Sequence, residues 1–543
     1  MATMRAAVRP FLDGERRSGL AIGTAVFLSG GVLLGVELAA SRVLAPFFGN
    51  SIFVWGALIG VVLAGLSAGY WIGGVLADRV PAPQLLLGTL AVGAGLILLI
   101  PVVDGFVLEA IVEWDAGPRL NPLLAAVVLF GAPSVILATA TPIAVRLRTR
   151  EVASVGKTAG RLFAVSTAGS IVGTFVTAFW LIPEIGTNQL LGLLATALFV
   201  AAGVVALGER MLLSGVVVAV LVAGSVAATL ALEPESGGRL TGAAAQNWSP
   251  LYRLRGESQE LQAPPGGFEL VYAKDTRYHG LTVVEDGQAR HLRFESSFQS
   301  GMYLDDPYRT RYSYTDLLQL PLVYNQSAEN VLYIGLGGGS APKRTWRDFP
   351  QLQQQVVELD PVVRDVAYRF FELPRSPRLK VSIEDGRRFL ARDRRRWDAI
   401  VIDAYFSDSL PFHLTTVEFL ELVRSRLAPG GFVASNLIGA LQGEGSKLFR
   451  SMYKTYRSAF ATVAVHPEGG GPGLQNVIVV AGEGAAPAKD VLVARWREVR
   501  RRVPRAVNLV DAIQDRHDAI IPTRDVPVLT DDYAPTDALL FLD

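Results

Sequence analysis

A glycine-rich turn that directly follows the apolar run Val331–Ile334 includes Gly337, Gly338 and Gly339. A second apolar run ends at Glu358, 21 residues after Gly337. Glycines allow the backbone to approach a ligand closely, and an acid about 20 residues further along can hold ribose hydroxyls. This spacing predicts a nucleoside pocket built from the three glycines and Glu358.

Two further acidic residues stand at the ends of apolar runs. Asp385 follows the run near 379–384, and Asp403 lies at the end of the run near 398–404. Ligands of parallel sheets bind outside the carboxyl ends of the strands, so we expect both side chains at the pocket of Glu358. Each also has a structural alternative, because an aspartate before a helix or turn can simply cap it.

The elements that must position these residues alternate between strands and helices. Helices such as Thr416–Leu427 separate the apolar runs, which favours a mostly parallel, Rossmann-like sheet. The predicted strands lie near 330–336, 354–360, 379–384, 398–404, 431–436, 461–466 and 476–481. Upstream, alternating runs flank Asp286-Gly287, which predicts a hairpin within a small antiparallel sheet.

The first part of the chain has the composition of a membrane protein. Of its 543 residues, 50% are hydrophobic, and the excess lies almost wholly before residue 233. Spans near 20 apolar residues suit a lipid bilayer, and we predict seven. They are Leu20–Ala40, Ile52–Ala77, Leu85–Val103, Leu123–Val145, Leu162–Ile182, Leu190–Leu207 and Met211–Leu232.

Basic residues of the connecting loops concentrate on the side of the N-terminus, which predicts a cell-membrane protein with a cytoplasmic N-terminus. Seven spans would place the C-terminal half outside the cytoplasm, whereas one re-entrant segment would keep it inside. The sequence leaves both arrangements open.

Overall composition excludes several classes of function. The net charge of +1 gives no global field for nucleic acid, and the absence of cysteine excludes thiolate catalysis, disulfides and cysteine-ligated metals. No spacing of His or acidic residues resembles a metal site. The predicted organisation is a multi-pass bundle over 1–232, a linker over 233–267, a small β domain over 268–315 and the Rossmann-like domain over 316–543.

Several motifs occur in a fixed order between about 270 and 480. They are Leu292–Gln299 for L-x-L-D-G-x-x-Q, Gly337–Ser340 for G-G-G-D, Val357–Asp360 for V-E-[IL]-D, Asp385–Phe389 for D-G-x-x-F, and Asp403–Phe419 for the segment D-S-S-D-P to T-x-E-F. In this order the segments resemble the spermidine synthase family, the aminopropyltransferases, in a form fused behind a membrane bundle. This resemblance implies that the Rossmann-like α/β domain is of the class I methyltransferase-like type.

The resemblance implies transfer of an aminopropyl group from decarboxylated S-adenosylmethionine to a small-molecule amine such as putrescine, giving spermidine-type polyamines. It places Gln299 beside the nucleoside, Glu358 on the ribose, and Asp385 with Gly386 at the adenine. The implied contacts to the amine are Tyr278, His279, Tyr314 and His413.

The catalytic acids implied by the resemblance are Asp403 and Asp408. In an ungapped match the family's catalytic aspartate falls on Phe406, and Asp408 can replace it if the loop takes another path. An acidic side chain is needed there because the attacking amine must lose a proton.

Two other functions remain open from the sequence. The family's G-G-G-D acid is Ser340 here, which removes one reason to prefer the decarboxylated co-substrate, so methyl or alkyl transfer from S-adenosylmethionine is one alternative. The other is a non-catalytic polyamine- or nucleoside-sensing transporter, with Glu37 and Arg42 either paired or lying on a transport path. The oligomeric state also stays open, with a homodimer as one option.

Overall fold

The computed structural model describes residues 2–49, 51–117, 119–149, 151–231, 238–248, 263–405, 410–443, 445–469 and 473–541. The chain divides into two compact units. The first comprises Met1–Glu235 and Lys274–Arg277, and the second comprises Ser236–Ala273 and Tyr278–Asp543.

The first unit is helical. Its α-helices are α1 (Ala2–Phe48), α2 (Ile52–Arg79), α3 (Pro83–Trp114), α4 (Leu120–Ala126), α5 (Ala132–Ala138), α6 (Ala140–Arg148), α7 (Val155–Val176), α8 (Ile182–Glu184), α9 (Thr187–Gly208) and α10 (Leu212–Ala231). Within the described residues, 7 continuous helical stretches are long and apolar enough to cross a membrane, judged by length and composition. The seven predicted apolar helices are therefore present, and their insertion into a bilayer stays a prediction.

Local chemistry explains two features of this unit. Pro133 lacks an N–H group, and the π-helical segment Val127–Gly131 immediately precedes the turn that contains it. A Cβ atom on Gly169 of α7 would lie 1.9 Å from the carbonyl oxygen of Phe27 in α1, so these two helix backbones are in direct contact.

Arg42 forms hydrogen bonds with backbone oxygens instead of an ion pair with Glu37. Its Nη2 donates to the carbonyl oxygens of Thr276 and Arg277, both at 3.0 Å and both inside the first unit. The sequence-based pairing of Arg42 with Glu37 is therefore replaced by contacts to backbone oxygens.

The second unit begins with a five-stranded sheet in the order β1-β2-β3-β4-β5. Its strands are β1 (Arg239–Leu240), β2 (Phe268–Asp275), β3 (Gly280–Glu285), β4 (Ala289–Phe294) and β5 (Ser297–Tyr303). The predicted hairpin at Asp286-Gly287 joins β3 to β4, and Asp286 Oδ1 accepts from the backbone N–H groups of Gln288 and Ala289. Part of the predicted linker is structured, because β1 pairs antiparallel with β2.

The larger sheet has seven strands in the order β11-β12-β10-β9-β6-β7-β8. They are β6 (Asn330–Ile334), β7 (Gln353–Glu358), β8 (Leu379–Ile383), β9 (Trp397–Ile402), β10 (Leu427–Gly439), β11 (Thr462–Pro467) and β12 (Gln475–Gly482). The pairs that join β8, β7, β6, β9 and β10 are parallel, whereas β12 runs antiparallel to both β10 and β11. The predicted strands and the mostly parallel sheet are confirmed.

Helices cover both faces of this sheet. They are α11 (Tyr314–Leu317), α12 (Leu320–Tyr324), α13 (Ser340–Asp348), α14 (Pro361–Phe370), α15 (Gly386–Arg392), α16 (Val417–Arg426), α17 (Lys447–Ala459), α18 (Lys489–Arg502), α19 (Val510–Gln514) and α20 (Thr536–Phe541). Alternate residues of β6 enter two separate cores, Leu332 with Ile334 on one face and Val331 with Tyr333 on the other. Both faces are buried, which explains why this strand reads as a continuous apolar run.

Candidate active site

A cavity of about 510 Å³ lies at the carboxyl ends of the parallel strands, inside the second unit. The strand order reverses between β6 and β9, where one connection leads to β7 and the other to β10. Such a reversal opens a crevice that α/β folds use for ligands. Of the residues predicted to hold the nucleoside, Gln299, Gly337, Glu358, Asp385 and Gly386 line this cavity.

The glycine-rich turn after β6 forms one wall of the cavity. Gly335 has φ +98°, and a Cβ atom there would lie 2.0 Å from the carbonyl oxygen of Asp403, so only glycine fits. Gly337 has φ +54° and also lines the cavity. The Gly338 N–H donates to Ser300 Oγ at 2.8 Å, which ties the turn to β5.

Glu358, the last residue of β7, projects its buried carboxylate into the same wall. Oε2 accepts from the Leu336 N–H at 3.0 Å, and Oε1 accepts from the Asp360 N–H at 2.9 Å. Burial raises the pKa of Glu358 to about 7, against the opposing effect of these backbone donors. Each oxygen retains a lone pair for a ligand hydroxyl, so the carboxylate is fixed in place and can still bind a ribose.

Asp385 and His413 form a pair near the end of β8, the strand next to β7, where the Glu384 N–H donates to the carbonyl oxygen of Glu358 at 2.9 Å. Asp385 caps α15 by accepting from the Arg388 N–H at 2.9 Å, so the capping alternative is correct for Oδ1. Its Oδ2 lies 3.0 Å from His413 Nε2, which donates to the carboxylate. The hydrogen bond from His413 holds the pKa of Asp385 below its usual value. Gly386 lines the cavity beside this pair.

Asp403 stands just after β9 at the centre of a polar network. Its Oδ1 accepts from Asn436 Nδ2 at 2.9 Å, and Tyr314 Oη donates to Oδ2 over 3.5 Å. Asn436 is itself held by Asn476, whose Nδ2 donates to Asn436 Oδ1 at 2.9 Å. Burial raises the pKa of Asp403 to about 6, although both direct hydrogen bonds lower it. Such a carboxylate can accept a proton near neutral pH.

The small sheet supplies aromatic and amide groups. The His279 ring stacks on Phe294, with centroids 3.9 Å apart and planes at 6°. Gln299 Nε2 donates to Ser297 Oγ at 3.1 Å. His279 and Gln299 both line the cavity. A flat, partly aromatic wall of this kind suits a nucleoside base or an alkyl chain.

Not every predicted residue reaches the cavity. Tyr278, Gly338 and Gly339 are not among the described residues that line it. Gly339 instead begins α13 in a left-handed conformation, with φ +75°, so the last two glycines shape the turn rather than the wall. Asp408, together with Phe406, lies outside the described residues.

The charge of the cavity wall is acidic. The carboxyl side chains that line it are Glu358, Glu384, Asp385, Asp403 and Glu468. No Lys or Arg is among the described lining residues. Residues 406–409 and 470–472, which lie outside the described part of the chain, include no basic residue. Glu384 is ion-paired with Arg392, and Asp385 is paired with His413. The preference of the site for cationic ligands therefore rests mainly on Glu358, Asp403 and Glu468.

Sequence reasoning missed several polar residues of this wall, among them Asn436, Asn476 and Glu468. Asn436 interrupts an otherwise apolar run at a predicted strand end, which is a signal that could have been noticed. Asn476 lies near the start of β12, and it reaches this edge because β12 runs antiparallel to its neighbour β10. Glu468 follows β11 and carries no motif that marks it.

One known protein family matches the part of the chain that supplies much of this site. The profile of the family Spermine/spermidine synthase domain matches residues 312–465. This chain carries a spermine/spermidine synthase domain. The matched segment includes Glu358, Asp385, Asp403 and Asn436, whereas the small sheet and Glu468 lie outside it.

Two relatives with similar sequences are named polyamine aminopropyltransferases. A polyamine aminopropyltransferase of Vibrio vulnificus is 30% identical over 203 residues, which cover 36% of this chain and 66% of that protein, just under two thirds. Polyamine aminopropyltransferase 1 of Streptomyces coelicolor is 28% identical over 467 residues, covering 81% of this chain and 78% of that protein. A match of that extent includes part of the apolar helical unit as well as the synthase domain.

Among solved structures, the spermidine synthase of Thermotoga maritima has 17% sequence identity and a TM-score of 0.39. The match covers 46% of this chain and 84% of that structure.

Proposed function

We propose that this protein is a membrane-embedded aminopropyltransferase. It moves an aminopropyl group from decarboxylated S-adenosylmethionine to an amine such as putrescine, giving a spermidine-type polyamine. The observation that carries the proposal is a single acid-lined cavity that joins Glu358 to the Asp403–Tyr314 network in a synthase domain. The relatives with this domain named above are transferases of the same class.

The nucleoside part of the co-substrate fits the half of the cavity around Glu358. This carboxylate accepts the ribose hydroxyls, and the Gly335–Gly337 turn leaves room for close approach. Asp385, fixed by His413, lies at the adenine end. All three groups are held by hydrogen bonds or by backbone constraint before a ligand arrives, which lowers the entropic cost of binding.

The part of the cavity around Asp403 binds the amine and performs the proton transfer. An amine is protonated at neutral pH and cannot attack until it loses a proton, and Asp403 is the group placed to take it. The amine nitrogen then forms a bond to the aminopropyl carbon next to sulfur. The carbon–sulfur bond breaks, and the sulfur keeps the electron pair as methylthioadenosine leaves. Tyr314 and Asn436 hold the Asp403 carboxylate in position during this step.

The charge of the cavity favours the decarboxylated co-substrate over S-adenosylmethionine. The latter carries a carboxylate, which would enter a wall of five acidic side chains without a Lys or Arg among the described lining residues. Like charges in a partly dry site repel each other, so methyl transfer is the less favoured use of this pocket.

The test is an assay on detergent-purified protein with either co-substrate and a panel of diamines, analysed by mass spectrometry. We expect spermidine and methylthioadenosine from the decarboxylated co-substrate, and a loss of about 10²- to 10⁴-fold in Asp403→Asn. Asp490→Asn, an exposed acid at the start of α18, is the matched control and should keep full activity. A methylated product, or no amine product, would overturn the assignment.

We further propose that all seven apolar helices cross the membrane with the N-terminus in the cytoplasm. Because the chain has no cysteine, single cysteines can report sidedness without background. Val152 is 91% exposed after the fourth apolar stretch, and Ile520 is 95% exposed in the second unit. On intact cells an impermeant maleimide should label Ile520→Cys and leave Val152→Cys unlabelled. Protection of both positions would contradict seven crossings.

A further inference from the structure

Glu468 is an acidic residue of the cavity that no sequence motif marks. It follows β11 in the connection to β12, is half-buried and lines the cavity. Its backbone N–H donates to the carbonyl oxygen of Asn476 at 2.9 Å, which fixes the start of this connection. Ser313 Oγ donates to the Glu468 carboxylate. The side chain is therefore held towards the cavity rather than free in solvent.

Glu468 and Asp403 lie along the same wall. Ser313 contacts Glu468, and the next residue in the chain, Tyr314, donates to Asp403 over 3.5 Å. Adjacent Cα atoms are only about 3.8 Å apart, so the two carboxylates are anchored on neighbouring positions of one short segment. Glu468 is also close enough to contribute to the raised pKa of Tyr314, after burial and the larger effect of Asp403.

We propose that Glu468 binds the distal ammonium group of a diamine acceptor, while the attacking amine lies at Asp403. This inference rests on the proposed aminopropyl transfer and assigns the residue that selects a diamine acceptor over a monoamine. A monoamine places an uncharged methyl end beside Glu468 and leaves this carboxylate without its cation, which is unfavourable in a partly desolvated wall. Glu468 is then the residue that determines acceptor specificity.

The experiment compares two acceptors of equal length. Isothermal titration in detergent, with methylthioadenosine present, measures the Kd of 1,4-diaminobutane and of n-butylamine for the wild type and for Glu468→Gln. Glutamine keeps an oxygen that accepts from Ser313, so the connection stays anchored and only the charge is lost. Glu483→Gln is the matched control, because Glu483 is exposed and lies just beyond β12, away from the cavity.

We expect Glu468→Gln to weaken binding of the diamine by about tenfold to a hundredfold, the size of a charge-assisted hydrogen bond. Binding of n-butylamine should change by less than about threefold, and Glu483→Gln should alter neither acceptor. Unchanged diamine binding, or an equal loss for both amines, would overturn the inference. Because these titrations need no catalysis, a wild type that binds diamine through Glu468 but transfers nothing would refute only the proposed activity.

Discussion

Asn436→Leu should move the pH dependence of catalysis through its effect on Asp403. The Asn436 amide donates to Asp403 Oδ1 at 2.9 Å and lowers a pKa that burial has raised to about 6. Leucine has nearly the same volume but no donor. A hydrogen bond to a charged group is worth about 1.5–3 kcal/mol, and one pKa unit corresponds to about 1.4 kcal/mol. The pKa of Asp403 should therefore rise by roughly 1–2 units, to about 7–8.

A higher pKa of Asp403 should lower kcat/KM near neutral pH. Asp403 must be ionised to accept a proton, so kcat/KM falls on the acidic side of its pKa. At pH 7 the ionised fraction drops from about nine-tenths to between about a half and a tenth, and activity should fall about two- to tenfold. At pH 9 most of the activity should return, which separates a pKa effect from misfolding.

The assay is a profile of kcat/KM between pH 5 and 9, measured by product mass spectrometry. Asn476→Leu is the graded control: it removes the donor to Asn436 but leaves the direct contact to Asp403, so its acidic limb should move less. An acidic limb that stays near 6 in Asn436→Leu, or a uniform loss at every pH, would refute the role of this network in setting the basicity of Asp403.

Three further outcomes follow from the geometry of the site. Glu358→Gln should weaken binding of the decarboxylated co-substrate by at least about tenfold in a calorimetric titration, because an amide presents only one acceptor where two are used. Gly335→Ala should lower the free energy of unfolding by about 1–3 kcal/mol more than Gly287→Ala, since both have positive φ but only Gly335 meets another backbone; equal losses would argue against a clash. His413→Ala should lower the Tm at pH 6, and this difference should shrink as the pH falls below about 3.9 and through the lowered pKa of Asp385, because a lowered carboxyl pKa stabilises the fold only while the group is ionised; a difference in Tm that does not shrink in acid would contradict this pair.

The parts of the site that sequence predicts are those that stand at the ends of parallel strands. Glu358, Asp385 and Asp403 follow apolar runs, and any parallel arrangement of those runs brings their ends to one edge. The sequence does not predict which side chain forms a hydrogen bond with each of these carboxylates. That His413 would lie 3.0 Å from Asp385, 28 residues earlier in the chain, depends on how the turn before α16 folds back.

The residues that sequence missed depend on strand direction and on side-chain networks. Asn476 reaches the cavity only because β12 runs against its neighbour β10, and an apolar run alone does not reveal its direction. Tyr278 is not among the described lining residues, so its contact to the amine stays a prediction. Periodicity thus fixes which edge a residue occupies in a parallel strand, whereas orientation at that edge depends on packing.

The short strand β1 has a practical consequence for dissecting the protein. Arg239 and Leu240 pair with β2, and Asn247 in the same stretch lines the cavity. A fragment that started at the long alternating strand Phe268–Asp275 would leave an unpaired sheet edge open to aggregation and would lack part of the ligand-binding wall. A separately expressed enzyme half should therefore retain the residues from Gly238 onwards, even though their composition reads as a spacer.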